Sequence, residues 1–194
     1  MRPVVYYVAA TADGMIAQGD GSFDRFPMDD EYLAALLAEF PETLPAHMRQ
    51  ASPRREDNRH FDAVLMGRNT YEVGLKVGVA SPYPTLDQYV FSTTMDRSPH
   101  ADVTLVRTSA TDAVRELKRE RGKAIWLCGG AQLASTLLSA GLVDEVLLKL
   151  NPVLFGSGIP LVGEGIDPTR LRLLDTFVHP SGHVRLHYRV ENRG

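Results

Sequence analysis

Apolar residues fall along this chain in short unbroken runs, separated by glycines or by amphipathic stretches rich in charge. Val4 to Ala10 is such a run, dominated by Val and Tyr and followed by Ala12-Asp13-Gly14, the pattern of a strand buried on both faces and stopped by a turn. In Asp29 to Phe40, the residues Leu33, Leu36, Leu37 and Phe40 stand at i, i+3, i+4 and i+7, with Asp29 and Asp30 at the start and Pro41 after the end, which predicts an amphipathic helix. From Pro41 to His60 there are three prolines, four arginines and no apolar period, so a loop is expected, either solvated or acting as a lid over an anionic ligand through Arg49, Arg54, Arg55 and Arg59.

Order resumes at Phe61 to Met66, an apolar run that passes through Gly67 into a short helix from Asn69. Gln88 to Ser92 and Val103 to Val106 read as strands, and Thr111 to Arg121 as a charged helix with Val114 and Leu117 inward and Gly122 as its stop. Ala124 to Cys128 is a further buried strand. Gly129-Gly130 then opens a helix from about Ala131 to Ala140, with Leu133, Leu137 and Leu138 on one face and Gly141 after it, and Glu145 to Leu150 returns as a strand. Strands alternating with helices predict a mostly parallel sheet covered on both faces. The end differs: Leu171 to Val178 and Val184 to Val190 flank Pro180-Ser181-Gly182, and the two-residue alternation of Val184, Leu186, Tyr188 and Val190 predicts an antiparallel hairpin. With no internal repeat or linker, residues 1–194 are expected to form one α/β domain.

Composition narrows the function. Lys plus Arg number 21 against 24 Asp plus Glu, a net charge of −3, which argues against an electrostatic nucleic-acid binder. The Val4 to Ala10 run is short for a signal core, and no stretch reaches the roughly 18 apolar residues of a membrane span. A lone cysteine, Cys128, can form no internal disulfide and suits a reducing cytoplasm.

The two strand-glycine-helix junctions, Met66-Gly67-Arg68-Asn69-Thr70 and Cys128-Gly129-Gly130-Ala131-Gln132, carry the clearest chemistry. Helix N-termini present free N–H groups and partial positive charge, and glycine lets a phosphate approach the main chain. Such turns also arise for steric reasons alone in α/β proteins. Together the two point to a ligand with several phosphates. Other signatures are missing: no G-x-G-x-x-G, no G-x-x-x-x-G-K-[ST], no G-x-S-x-G elbow, and no base beside Cys128 in sequence. His179, His183 and His187 recur every four residues, but Pro180 and Gly182 forbid a helix there, so the expectation is a surface pair on the hairpin rather than a metal face.

The blocks Ala9-Ala10-Thr11-Ala12-Asp13-Gly14-Met15-Ile16-Ala17, Met66-Gly67-Arg68-Asn69-Thr70-Tyr71-Glu72, Gly129-Gly130-Ala131-Gln132-Leu133, Val143-Asp144-Glu145 and Pro152-Val153-Leu154-Phe155-Gly156-Ser157-Gly158, taken in this order, resemble the dihydrofolate reductase-like superfamily. Within it the chain is most similar to the branch holding the C-terminal reductase domain of bacterial riboflavin biosynthesis proteins, the RibD C-terminal domain. The resemblance implies a three-layer α/β/α fold around a mostly parallel mixed sheet closed by a C-terminal antiparallel hairpin. It implies NADPH as cofactor. Gly67, Arg68, Asn69 and Thr70, with Gly129, Gly130, Ala131 and Gln132, would hold its phosphates, Ser92 and Thr93 its adenosine 2′-phosphate, and Ala10 and Ile16 would flank the nicotinamide. Pro27-Met28-Asp29 matches the spacing of the reductase acid, although Asp29 also fits a helix cap, and Asp13, in a turn-forming Asp-Gly pair, is the second candidate acid.

Phe23 and Phe26 stand where dihydrofolate reductases carry a tryptophan before that proline, and no zinc deaminase motif is present. The expected substrate is therefore a pteridine- or pyrimidine-like small molecule, reduced in the manner of dihydrofolate or of 5-amino-6-(5-phosphoribosylamino)uracil. A non-catalytic nucleotide- or flavin-binding protein on the same fold is the alternative. The resemblance also implies a homodimer.

Overall fold

The computed structural model describes residues 1–48 and 55–191. Its centre is strand β1 (Val4–Thr11), in which Val4, Tyr6 and Val8 face one side and Val5 and Tyr7 the other, every one of them buried. A short β2 (Met15–Ala17) follows, then helix α1 (Asp30–Glu39), strand β3 (Phe61–Gly67), helix α2 (Arg68–Lys76), and strands β4 (Asp87–Phe91) and β5 (Val103–Val106). Helix α3 (Ala110–Arg119), strand β6 (Ala124–Gly129), helix α4 (Ala131–Ser139) and strands β7 (Glu145–Asn151), β8 (Ile159–Pro160), β9 (Arg170–Val178) and β10 (Val184–Glu191) complete the order.

Eight strands form one sheet in the order β5-β4-β3-β6-β1-β7-β10-β9. The first six run parallel, and β10 and β9 close the edge antiparallel. This is the mixed sheet with a terminal hairpin that the alternation of runs predicts. On one face Val4, Tyr6, Leu65, Ile125 and Leu127 pack under Val114 and Leu117 of α3 and Leu133 and Leu137 of α4. On the other, Val5, Tyr7, Val64, Met66, Trp126 and Leu147 pack with Phe40 and with Tyr71 of α2, so helices cover both faces.

Several expectations shift on contact with the structure. Helix α3 starts at Ala110 rather than Thr111, capped by the Ser109 hydroxyl, which accepts the Asp112 N–H, and it ends at Arg119 rather than Arg121. Gly122 is instead needed for packing, since a Cβ there would fall 2.5 Å from Asp62 Oδ2 and 2.9 Å from Arg2 Cζ. Gly141 does stop α4, with a positive φ of 64° and the Leu142 N–H bonded back to Leu137 O at 2.9 Å. The small antiparallel pair β2–β8 is new; at Gly158, φ +154°, a Cβ would overlap the Ala17 carbonyl oxygen.

The stretch expected as a loop after α1 carries 3-10 turns at Pro41–Thr43, Ala46–Met48 and Arg55–Asp57. Glu42 is buried, and its Oε1 accepts the N–H groups of His60 at 2.6 Å and Phe61 at 2.8 Å, seating the start of β3. Arg49 and Arg54 lie outside the described residues. Arg55 is held by Asp87 through two 2.8 Å bonds, and Arg59 donates to Ala38 O, so these two belong to the scaffold. The histidines also differ from expectation. His179 and His183 are buried, with the Tyr32 ring stacked 3.7 Å from that of His183, while His187 pairs with Glu145 at 2.8 Å. His179 and His183 fasten α1 to the hairpin and His187 ties β10 to β7, so they do not form a surface pair. Among the described residues, no helix is long and apolar enough to cross a membrane.

Candidate active site

The parallel strands end toward one edge, where their loops enclose a cavity of about 1380 Å³, the usual place for a ligand in an open α/β sheet. Adjacency of β3 and β6 brings the two glycine junctions together, with Met66 in register with Gly129. A Cβ on Gly67 would stand 3.4 Å from the Gly130 nitrogen, and one on Gly130 would stand 3.3 Å from Thr70 Oγ1. Gly129 has φ +137°, and the Gly129–Gly130 peptide is cis. Neither α2 nor α4 has a side-chain cap at its N-terminus, so two sets of first-turn N–H groups open onto the same space. Gly67, Arg68, Asn69, Thr70, Gly129, Gly130, Ala131 and Gln132 all line the cavity, as do Ile16, Ser92 and Thr93. Arg68 lies across this end, bonded to Glu72 at 2.6 Å and to Thr94 Oγ1 at 2.5 Å.

Ala10 is placed differently. It is fully buried, its carbonyl accepts from Asn151 Nδ2 at 3.1 Å, and the cavity wall is made by its neighbour Ala9.

Both candidate acids are also occupied elsewhere, and neither lines the cavity. Asp29 caps α1 by accepting the Tyr32 N–H at 2.7 Å. That bond, with smaller help from Ser181, His179 and His183, holds its carboxyl below the ordinary range. Asp13 accepts from the Thr11 hydroxyl, from the Gly156 N–H at 2.7 Å and from the Phe155 N–H at 3.2 Å. The Thr11 and Gly156 bonds keep Asp13 ionised to lower pH than a free carboxyl. A carboxylate tied in this way is a fastening for a helix or loop and a weak proton donor.

The inner end of the cavity was not foreseen. Leu33, Leu36 and Leu37 of α1 turn their stripe to this space rather than into a closed core. Phe40, stacked on Tyr7 at 4.7 Å, and Trp126, with Tyr83 edge-on at 4.7 Å, form an aromatic wall. Cys128 lies 3.9 Å from the Tyr83 hydroxyl, and burial pushes its thiol up to about 11, which leaves it un-ionised. Lys149 enters from β7 with Nζ 4.0 Å from the centre of the Tyr7 ring. Burial pulls its ammonium down to about 8. Parity along Glu145-Val146-Leu147-Leu148-Lys149-Leu150-Asn151 carried the one available signal, a lysine at an inward position of a buried strand.

The arrangement defines a class before any particular family: a dihydrofolate reductase-like α/β fold with a large cavity at the C-terminal ends of the parallel strands. Enterococcus faecalis dihydrofolate reductase, solved in complex with NADP(H) and RAB-propyl, superposes with a TM-score of 0.65 at 15% identity over 98% of this chain and 97% of that one. A Thermotoga maritima diaminohydroxyphosphoribosylaminopyrimidine deaminase/5-amino-6-(5-phosphoribosylamino)uracil reductase gives 0.62 at 16% identity, over 97% of this chain and 56% of that one. The protein belongs to the RibD C-terminal domain family, whose pattern matches residues 2–184. The uncharacterized protein YwjB of Bacillus subtilis is 33% identical over 187 residues, covering 96% of this chain and 97% of that protein.

Proposed function

We propose that this protein is an NADPH-dependent reductase that reduces a C=N or C=O bond in a pteridine- or pyrimidine-like small molecule. The observation that carries the reading is the meeting of two uncapped, glycine-opened helix starts on one wall of a cavity whose inner end is aromatic. The residues present fit such a cofactor. Free N–H groups and the absence of side chains at Gly67, Gly129 and Gly130 suit a diphosphate, while Arg68 with Ser92 and Thr93 offers donors for a 2′-phosphate. At about 1380 Å³ the space exceeds the roughly 300–1,000 Å³ of a one-ligand pocket, leaving room for substrate beside cofactor. When bound, the reduced nicotinamide supplies hydride; the protein's own share is to grip the phosphates, exclude water and deliver a proton. The reducing cytoplasm is the matching compartment for such a cofactor.

Calorimetric titration with NADPH and NADH tests the reading. NADPH binds in preference to NADH, and Arg68→Ala weakens NADPH about tenfold or more while leaving NADH nearly unchanged, as expected for loss of a charge-assisted hydrogen bond. Failure of the wild-type protein to bind NADPH, or a preference for NADH, overturns it.

The same reading includes a homodimer formed through β9. That strand lies at the sheet edge with Leu171, Leu173, Phe177 and Val178 between 44% and 64% exposed, an unprotected apolar edge that soluble chains normally cover. Light scattering after gel filtration gives twice the chain mass of 21.4 kDa, and Leu173→Lys with Val178→Lys gives the monomer; a monomeric wild-type protein refutes the pairing.

A further inference from the structure

Asp13 and Asp29, the two acids that the motif spacing offers, are turned to other work, and neither lines the cavity. We propose that Lys149, standing in the aromatic inner end of the cavity with no carboxylate partner among the described residues, is the group that protonates the substrate as it is reduced.

Its surroundings argue for this role. The register places Lys149 between Ala9 of β1 and Arg185 of β10 on the same sheet face. Arg185 is taken by Glu39 and Asp175, and Lys118 by Asp144. Among the described residues, no carboxylate lies within ion-pair distance of Lys149. The titratable groups around it are Tyr7 from β1, Cys128 from β6, Tyr83 from the loop before β4 and Arg185, with Tyr32 and Glu39 of α1 beyond Tyr7. Burial holds the Tyr7 and Tyr83 hydroxyls and the Cys128 thiol in their neutral forms through the neutral range. Only the face of the Tyr7 ring, 4.0 Å from Nζ, offsets part of the cost of keeping an ammonium there, and a lysine in a cavity without an opposite charge beside it is a candidate functional group.

This role rests on the reductase reading. The substrate C=N bond receives hydride at carbon from the reduced nicotinamide, and its π pair moves onto nitrogen. That nitrogen takes a proton from Lys149 Nζ, so one C–H and one N–H bond form while the nicotinamide is oxidised. The neutral amine regains a proton from water as product leaves. For a C=O substrate the same proton goes to oxygen. An ammonium poised near 8 is charged at pH 7 yet gives up its proton far more readily than an ordinary lysine.

Two readouts test this. The chain has four lysines, Lys76, Lys118, Lys123 and Lys149, so in ¹³C-lysine-labelled protein the Cε resonance lost in Lys149→Arg identifies Lys149, and its pH midpoint can be read with and without NADP⁺. A midpoint near 8 supports the inference; one near the ordinary 10.5 overturns it. Single-turnover NADPH oxidation is then followed with dihydrofolate, a dihydropterin and 5-amino-6-(5-phosphoribosylamino)uracil. Lys149→Met slows it about 100-fold or more, with NADPH binding unchanged and a melting temperature no lower than wild type; a wild-type rate in Lys149→Met overturns the assignment. Absence of NADPH binding by the wild type would sink the reductase reading instead, which keeps the two failures apart.

Discussion

Asp144→Ala lowers the free energy of unfolding by about 2–4 kcal/mol, read as a fall in the urea midpoint at unchanged slope. Lys118 of α3 reaches the sheet with a side chain only 8% exposed, donating to Asp144 and, at 3.0 Å, to Leu142 O. The same carboxylate oxygen, Oδ2, accepts the Val4 N–H at 2.7 Å, at the start of the central strand. Truncation strands a buried ammonium beside a single carbonyl and removes the acceptor of a buried N–H. The 35% exposure of the Asp144 side chain lets water replace part of the loss, which sets the figure below the 3–5 kcal/mol typical of a fully buried pair. The double variant Lys118→Met, Asp144→Leu recovers the part of the loss due to the stranded ammonium, because a buried ion pair is dispensable when both halves go, and keeps the part due to the Val4 N–H, which still lacks its acceptor. The site lies at the N-terminal ends of β1 and β7, away from the cavity, so NADPH titrations of Asp144→Ala and wild type coincide. A loss under about 0.5 kcal/mol, the ordinary range for a surface substitution, would show that the pair is no more than a surface contact.

What could be read from the chain follows from how each feature is encoded. Buried parallel strands appear as continuous apolar runs and their ends as glycine, so β1, β3, β6 and β7 and the two junctions were legible from local pattern. That the junctions touch depends on β3 lying beside β6, a fact of topology reached through family resemblance and not through spacing. The pair β2–β8 covers too few residues for any period to show. The stripe Leu33-Leu36-Leu37 announced a surface that avoids water, but a stripe looks the same whether it meets a core or a ligand cavity. Asp13 and Asp29 fitted a motif by spacing, while the groups that occupy them, Gly156 N–H and Phe155 N–H for one and Tyr32 N–H for the other, decide their chemistry. Glu42 sits in what reads as a polar loop, and only the fold shows that it is buried against the first residues of β3.

Gly129→Ala weakens NADPH binding about 10- to 100-fold, followed through quenching of Trp126, the only tryptophan and part of the cavity wall. At φ +137°, Gly129 occupies backbone space that L side chains rarely enter, and forcing one there costs about 1–3 kcal/mol, which a local rotation of the chain would relieve. Such a rotation moves Gly130 and the first N–H groups of α4 relative to Gly67, and Gly67 is where the second junction already sits with only 3.4 Å between a would-be Cβ and the Gly130 nitrogen. Misplacing one set of donors by a fraction of an ångström loses hydrogen bonds to a charged diphosphate, each worth about 1.5–3 kcal/mol, so strain and lost contacts point in the same direction. Gly141→Ala is the control: φ +64° at the opposite end of α4 imposes comparable backbone strain without touching either junction, and it lowers the melting temperature while leaving the NADPH titration where it was. If Gly129→Ala binds NADPH as tightly as wild type, the two glycine-opened helix starts do not grip the cofactor, however closely they approach each other.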